Sequence, residues 1–139
     1  MSLEDDDRKT IVEYRIEKAY TAFHEAETVA NIGLYSLAIN RLYYSIYYAA
    51  SALLVSEGII SHTHKGLLTQ LSLYYVKAER ISEEEGKIIR QLFNMRNEDD
   101  YSDFIEADKN DIDLFMPKAK LLLNKLVQLN KLANPRQTT

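Results

Sequence analysis

The sequence predicts an all-α fold, an up-and-down antiparallel bundle of four to five helices. The chain has only four Gly and two Pro among 139 residues, without clusters of turn residues, so it has few places at which to reverse direction. Apolar residues also recur at spacings of three and four over long stretches, which is the period of an amphipathic helix. Short connections between such helices favour an antiparallel bundle.

The first two predicted helices differ in character. The first runs from about residue 7 to 32 with one buried apolar stripe, and Gly33 ends it. The second runs from about residue 35 to 57, and Gly58 ends it. Apolar or aromatic residues occupy nearly all of its positions. A helix that is apolar on every side is buried on every side, and the other helices of a small domain cover only part of it. We therefore predict a homodimer through the second helix.

The third predicted helix is short, from about residue 63 to 77. The fourth opens with Ser82 followed three residues later by Glu85, which is the pattern of a capping box. The fourth helix is predicted to end at the polar stretch 96–101. Both helices carry apolar residues at helical spacing, so each should pack one face against the core.

The fifth helix is predicted over residues 108–132 and is ended by Asn134-Pro135. Pro117 lies within it, so either the helix is kinked there, or it begins nearer Pro117 after a separate turn. We expect one domain over residues 1–139, with an ordered core over about 7–133, because a chain of this length builds one hydrophobic core.

Composition excludes several classes of protein. The absence of Cys excludes disulfides and thiolate metal sites. The longest apolar stretch, residues 42–55, is too short to span a bilayer, and no secretion signal opens the sequence. We therefore expect a cytoplasmic protein without membrane contact. The net charge of −4 does not indicate a generic electrostatic nucleic-acid binder.

The charge is unevenly distributed along the C-terminal third. Residues 97–113 contain eight acids and one base, whereas residues 117–136 contain five bases and no acid. An acidic loop followed by a helix with a solvated cationic face explains this pattern, and a partner-docking surface is the alternative.

Metal and cofactor chemistry finds no support in the sequence. A di-metal carboxylate bundle needs Glu-x-x-His pairs, which do not occur. His62 and His64 precede a helix but offer only two ligands, and no Gly-rich phosphate loop, nucleophile elbow or metalloprotease motif is present. We expect neither a metal nor a cofactor.

Two arginines are the candidates for chemistry. Arg41 lies within the apolar second helix, so it either reaches solvent, pairs with an acid of a neighbouring helix, or faces a cleft. Arg96, with Asn97, stands at the end of the fourth helix, where a forked guanidinium suits a phosphate. The alternative for Arg96 is pairing with the acids that follow it.

Three stretches resemble a known family. The second helix carries Arg41-Leu42-Tyr43-Tyr44 and then Ala49-Ala50, which is similar to an Arg-x-x-Tyr-Tyr-Ala pattern. His64-Lys65-Gly66 resembles a Ser/Thr-His-Lys stretch, and Arg96 and Tyr101 fall on an Arg-containing motif. Over about residues 16–129 the chain thus resembles the HEPN (higher eukaryotes and prokaryotes nucleotide-binding) family, in its small stand-alone prokaryotic branch.

The resemblance implies a helical bundle, usually a homodimer in which the motif arginines of both subunits line a shared cleft. Nuclease members carry Arg, four to six residues, then His; the Arg stabilises the scissile phosphate and the His transfers protons in metal-independent RNA cleavage. Members are often encoded beside a minimal nucleotidyltransferase as a toxin–antitoxin pair. In some pairs the transferase adenylylates a Tyr near the motif.

This sequence departs from the nuclease pattern after Arg96. The three positions where the histidine is expected, 101 to 103, hold Tyr, Ser and Asp. Tyrosine is a poor replacement near neutral pH because its ordinary pKa is about 10. The neighbouring acids also repel an RNA backbone.

Three functions follow as hypotheses. The first is a non-catalytic or weakly active partner of a minimal nucleotidyltransferase that binds a nucleotide or phosphate. The second is a metal-independent ribonuclease toxin in which Tyr101 or His64 takes the place of the usual base beside Arg96. The third is a purely structural helical oligomer. The candidate phosphate-binding residues are Arg96, Asn97, Arg41, His64 and Lys65.

Overall fold

The computed structural model describes residues 3–96 and 106–133, and every regular element within these ranges is a helix. In chain order these are α1 (Leu3–Asn31), α2 (Tyr35–Ser56), α3 (His64–Leu71), a π-helical turn (Ser72–Val76), α4 (Glu83–Met95) and α5 (Lys109–Ala133). The predicted all-α bundle is confirmed. None of the helices in these ranges is long and apolar enough to cross a membrane.

Glycines end the first two helices, as predicted. At the end of α1, Gly33 adopts φ +83° and Leu34 N–H donates to the carbonyl of Val29, which closes the helix with a Schellman turn. Gly58 adopts φ +77° and closes α2 in the same way. Because only three residues separate α1 from α2, the two helices run antiparallel and pack along their length.

The hydrophobic core is centred on α2, which contacts each of the other four α-helices. Thirteen of its 22 residues are buried. Ser45 is among them, and its hydroxyl donates to the carbonyl of Ala19 at 2.7 Å, so this buried polar group is satisfied across α1 and α2. The largest side chains that are buried completely are Tyr43, Tyr75, Ile39, Leu42, Ile46, Leu53, Leu54, Ile81, Ile89, Leu92, Leu122 and Leu123.

One stripe of α2 stays partly open. Leu37 is exposed, and Arg41, Tyr44 and Tyr48 are half-buried at helical spacing along the same face. The apolar composition of α2 predicts that the other helices cover only one side of it. They bury most of its surface and leave this stripe partly open. The homodimer through α2 remains a prediction, and this stripe is the surface it would use.

An ion pair ties the end of α2 to the connection between α3 and α4. Arg80 donates to both carboxylate oxygens of Glu57, at 2.7 and 3.1 Å, and its guanidinium lies 4.6 Å from the ring centre of Tyr75. Burial, with Glu57 nearby, raises the pKa of Tyr75 well above its usual range. The Tyr75 phenol is therefore neutral, and the contact fixes where α3 lies against α2.

The predicted capping box of α4 is confirmed and has a further role. Ser82 Oγ accepts from Glu85 N–H, and Glu85 Oε1 accepts from Ser82 N–H. Glu85 also accepts from Lys125 Nζ of α5 at 2.8 Å. Burial alone would raise the pKa of Glu85, but the hydrogen bonds from Lys125 and Ser82 outweigh it and lower the pKa.

The last helix resolves the alternatives for Pro117. α5 begins at Lys109 and continues through Pro117, so a start near Pro117 was wrong. Asp108 and Asp111 cap its first turn, each accepting from the backbone N–H of the other at 3.0 Å. These caps fix the helix start upstream of the proline and use two acids of the acidic stretch.

Candidate phosphate-binding site

The site begins at the first turn of α3. The hydroxyl of Thr63 accepts from Gly66 N–H at 2.8 Å, which caps the helix directly before His64. A Cβ at Gly66 would lie 2.9 Å from this hydroxyl oxygen, so the cap requires a residue without a side chain. The Thr63-His64-Lys65-Gly66 stretch is therefore a capping device that sets the position of His64.

His64 contacts residues from two other helices. Its Nδ1 lies 2.7 Å from the hydroxyl of Tyr43 on α2 and 2.9 Å from a terminal nitrogen of Arg96 at the end of α4. Its ring stacks on Tyr47 with 4.3 Å between ring centres. His64 and Arg96 are thus in contact although they are 32 residues apart in sequence.

The arginine determines which nitrogen of His64 carries the proton. A guanidinium can only donate hydrogen bonds, so Nδ1 must accept. We therefore assign the neutral ring as the Nε2–H tautomer. In this arrangement the Nδ1 lone pair faces both the guanidinium of Arg96 and the hydroxyl of Tyr43.

Arg96 is held by aromatic rings. It follows the last residue of α4 in an extended conformation, and its backbone N–H donates to the carbonyl of Leu92 at 3.0 Å. The guanidinium carbon lies 4.2 Å from the ring centre of Phe93 and 4.7 Å from that of Tyr43. Such cation–π contacts orient an arginine without neutralising its charge.

A cluster of aromatic rings forms the floor of the site. Tyr43 is buried, and it packs against Tyr47 and Phe93 with ring centres 6.0 and 5.7 Å apart. Tyr44 meets His64 edge-on at 5.9 Å. Because Tyr43 and Tyr47 are four residues apart, they present their rings on one face of α2.

Arg41 lies outside the His64–Arg96 contact. It donates to Asn40 Oδ1 at 2.8 Å and to Glu25 of α1 at 3.5 Å, and its guanidinium lies over Tyr44 at 5.1 Å. The alternative in which Arg41 pairs with an acid of a neighbouring helix is confirmed. Tyr44 contacts both Arg41 and His64, so Arg41 lies one aromatic ring away from the His64–Arg96 contact.

Lys65 is not brought to His64 and Arg96. It is exposed and lines a separate groove with Lys77 and Arg90. Asn97 and Tyr101 lie outside the described residues. Among the residues that the structure describes, no three His, Cys, Asp or Glu side chains come together as metal ligands would.

Sequence reasoning singled out Arg96 and His64 separately but missed the rings that hold them. The four-residue spacing of Tyr43 and Tyr47 was a visible signal for a shared face. The role of Phe93 has no sequence signal of its own, because an apolar residue at that position also fits the core.

The fold and the site define an all-α bundle in which an arginine and a histidine meet over an aromatic floor. The HEPN domain model matches residues 12–130, so the chain belongs to the HEPN family. It is 31% identical over 117 residues to a Methanocaldococcus jannaschii protein named "Putative toxin MJ0142", which covers 84% of this chain and 80% of that protein.

Two further relatives carry only a family label. The chain is 27% identical over 124 residues to a UPF0332 protein of Thermotoga maritima, covering 89% of this chain and 94% of the relative. It is 30% identical over 122 residues to a UPF0332 protein of Archaeoglobus fulgidus, covering 82% of this chain and 96% of the relative. The resemblance to small prokaryotic HEPN proteins is confirmed.

Proposed function

We propose that this chain is a HEPN module that binds a phosphate group, carried by a nucleotide or by RNA, between Arg96 and His64. The observation that carries the proposal is the 2.9 Å contact between these two side chains over the rings of Tyr43 and Phe93. The guanidinium supplies a positive charge and forked donors that suit the oxygens of a phosphate. The half-buried rings of Tyr44 and Tyr47 beside His64 offer stacking surfaces for a base.

The tautomer of His64 favours binding over catalysis. In metal-independent RNA cleavage a 2′-hydroxyl attacks the adjacent phosphorus, a base takes its proton, and the leaving 5′-oxygen receives one. The lone pair of His64 that would take the proton is engaged by Arg96. The contact therefore favours a bound phosphate over proton transfer by His64.

Calorimetric titration with adenosine monophosphate and with a short oligoribonucleotide tests phosphate binding. Arg96→Ala should weaken both ligands by roughly tenfold or more, in line with the loss of a charge-assisted hydrogen bond. Lys120→Ala on α5 removes one exposed positive charge outside the site and is the matched control. Equal affinities of wild type and Arg96→Ala would contradict the proposal.

The ribonuclease toxin is the second candidate. A histidine lies beside Arg96 in space although none follows it at the expected spacing in sequence, because His64 reaches Arg96 from α3. Catalysis by His64 would require this contact to open, so that Nδ1 could take a proton. The name of the Methanocaldococcus jannaschii relative points to the same class. Induced expression of wild type, Arg96→Ala and His64→Ala should then show growth arrest and RNA cleavage only for wild type. Equal growth and intact RNA in all three would exclude this function.

A partner and a second subunit complete the proposal. We propose pairing with a minimal nucleotidyltransferase, supported by the family resemblance, and dimerisation through the stripe of α2 that contains Leu37, Tyr44 and Tyr48. Co-expression with a transferase encoded beside this chain, followed by affinity capture, tests the pairing. A monomer in light scattering at micromolar concentration would contradict the dimer.

A further inference from the structure

A second cationic cavity lies beside the Arg96 site. It has a volume of about 330 Å³ and is formed by α1, the second half of α2 and the connection into α3. Its polar lining comes from Arg8, Arg15, Tyr47, Ser51 and Ser61, and the rest of the lining is apolar or glycine. No carboxylate lines it, although the whole chain carries a net charge of −4.

Arg15 is the central cation of this cavity. It is half-buried, and its guanidinium donates to the hydroxyl of Ser51, which is itself buried. Within the described ranges no acidic side chain pairs with Arg15, whereas Arg41 and Arg80 each have one. A partly desolvated guanidinium without a carboxylate favours an anionic ligand.

Arg8 adds a second positive charge at the rim. It lies seven residues, or two helical turns, before Arg15, so both point from the same face of α1. A terminal nitrogen of Arg8 lies 4.0 Å from the position that a Cβ at Gly58 would occupy, which places it over the α2–α3 connection. The two guanidinium groups thus approach the cavity from one side.

The hydroxyls make the cavity a better fit for phosphate than for chloride or a single carboxylate. Ser51 Oγ accepts from Arg15, and its own hydrogen has no acceptor among the described side chains and backbone. Two forked guanidinium groups and a hydroxyl donor match the several acceptor oxygens of a phosphate.

The cavity and the Arg96 site share a wall. Tyr47 lines the cavity, and its ring stacks on His64 at 4.3 Å. Leu67, one turn after His64 on α3, lines it as well. A ligand seated at Arg96 therefore has the second cationic cavity on the far side of one tyrosine ring.

We propose that this cavity is a second phosphate subsite, which takes the phosphate adjacent to the one bound at Arg96 in the same ligand. The adjacent phosphate is the next one along an RNA strand. Neighbouring phosphates of a nucleoside polyphosphate share one oxygen and are too close together to lie on opposite sides of the Tyr47 ring. The inference rests on the proposed function for the first phosphate.

The test compares ligands that carry one and two phosphates. Calorimetry measures the affinities of adenosine mono-, di- and triphosphate, and of diuridylate with and without a 5′-phosphate, for wild type, Arg15→Ala, Arg8→Ala and the control Lys120→Ala. The two variants at the cavity should weaken 5′-phosphorylated diuridylate about tenfold, since one charge-assisted hydrogen bond is lost. They should leave the adenosine nucleotides and diuridylate without a 5′-phosphate within about twofold. Circular dichroism shows whether Arg15→Ala is folded. If Arg15→Ala is unfolded, Arg8→Ala still tests the subsite, because Arg8 is exposed and its replacement leaves the core intact.

The pattern of losses tests the second subsite. A loss confined to 5′-phosphorylated diuridylate supports the second subsite, and a loss confined to adenosine di- and triphosphate overturns it. Equal losses for one- and two-phosphate ligands, or no loss in either variant, overturn the second subsite. An unchanged affinity for adenosine monophosphate in Arg96→Ala overturns the proposed function instead, so the two failures are distinguishable. Wild type that binds none of these ligands overturns both.

Discussion

Replacing Gly66 by alanine should change stability differently with and without Thr63. In the wild type, the new Cβ would lie 2.9 Å from Thr63 Oγ1, the oxygen that caps α3 by accepting from Gly66 N–H. The threonine side chain must rotate away, and the cap is lost. In Thr63→Ala the cap is already absent, so the same Cβ meets no such obstacle.

Two contributions of similar size set the expected values. Alanine in place of glycine inside a helix stabilises by about 0.5–1 kcal/mol. Loss of a threonine cap costs about 1 kcal/mol, within a range of roughly 0.5–2 kcal/mol. With a cap loss of about 1 kcal/mol, Gly66→Ala should therefore change the free energy of unfolding of the wild type by about zero to −0.5 kcal/mol. In Thr63→Ala it should raise it by about 0.5–1 kcal/mol.

Urea unfolding followed by circular dichroism of the four proteins measures this coupling. A coupling free energy of about 1 kcal/mol moves the midpoint by roughly 0.3–1 M at typical slopes, which is readily resolved. The same proteins should lose affinity for adenosine monophosphate whenever the cap is lost, because the cap positions His64. Equal stabilisation by Gly66→Ala in both backgrounds would refute this account of the first turn of α3.

Three more substitutions test the packing around the site. Tyr43→Phe removes the hydroxyl at 2.7 Å from His64 and should cost about 1 kcal/mol in urea unfolding, and an unchanged midpoint would contradict the contact. Glu85→Gln should cost about 0.5 kcal/mol at pH 7, since the side chain of Lys125 is 40% exposed and solvent screens the pair. Because the pKa of Glu85 is lowered in the folded state, the ion pair contributes its full stability only above the unfolded pKa of about 4.3. The difference should therefore shrink as the pH falls below that value, and a constant difference would argue against the pair. Pro117→Ala restores a backbone donor inside α5 and should raise the thermal midpoint, whereas a lower midpoint would mean that the proline is needed there.

The helices were largely predictable because local chemistry determines them. Glycines at positions 33 and 58, and the Ser82–Glu85 box, mark helix ends through backbone geometry that neighbouring residues impose. The predicted ends of α2 and α4 therefore match the structure closely. α1 begins at Leu3, earlier than the expected start near residue 7, since first turns carry few distinguishing signals.

The site was predictable only in its separate parts. Arg96 and His64 stand out by residue type, but their contact depends on how α3 and α4 pack against α2, which no local pattern specifies. Arg41 looked equivalent to Arg96 in sequence, yet its pairing with Glu25 depends on the position of α1. The cavity at Arg15 had no motif at all, because its lining comes from three separate segments.

The central claim is that Arg96 and His64 form one phosphate site. The most direct measurement is the affinity for adenosine monophosphate of wild type, Arg96→Ala, His64→Ala and the double variant, determined by calorimetry. If the side chains act together, each single variant weakens binding and the double variant loses less than the sum of the two losses. If His64→Ala binds as tightly as the wild type, the contact between the two side chains has no part in binding, and the claim is wrong.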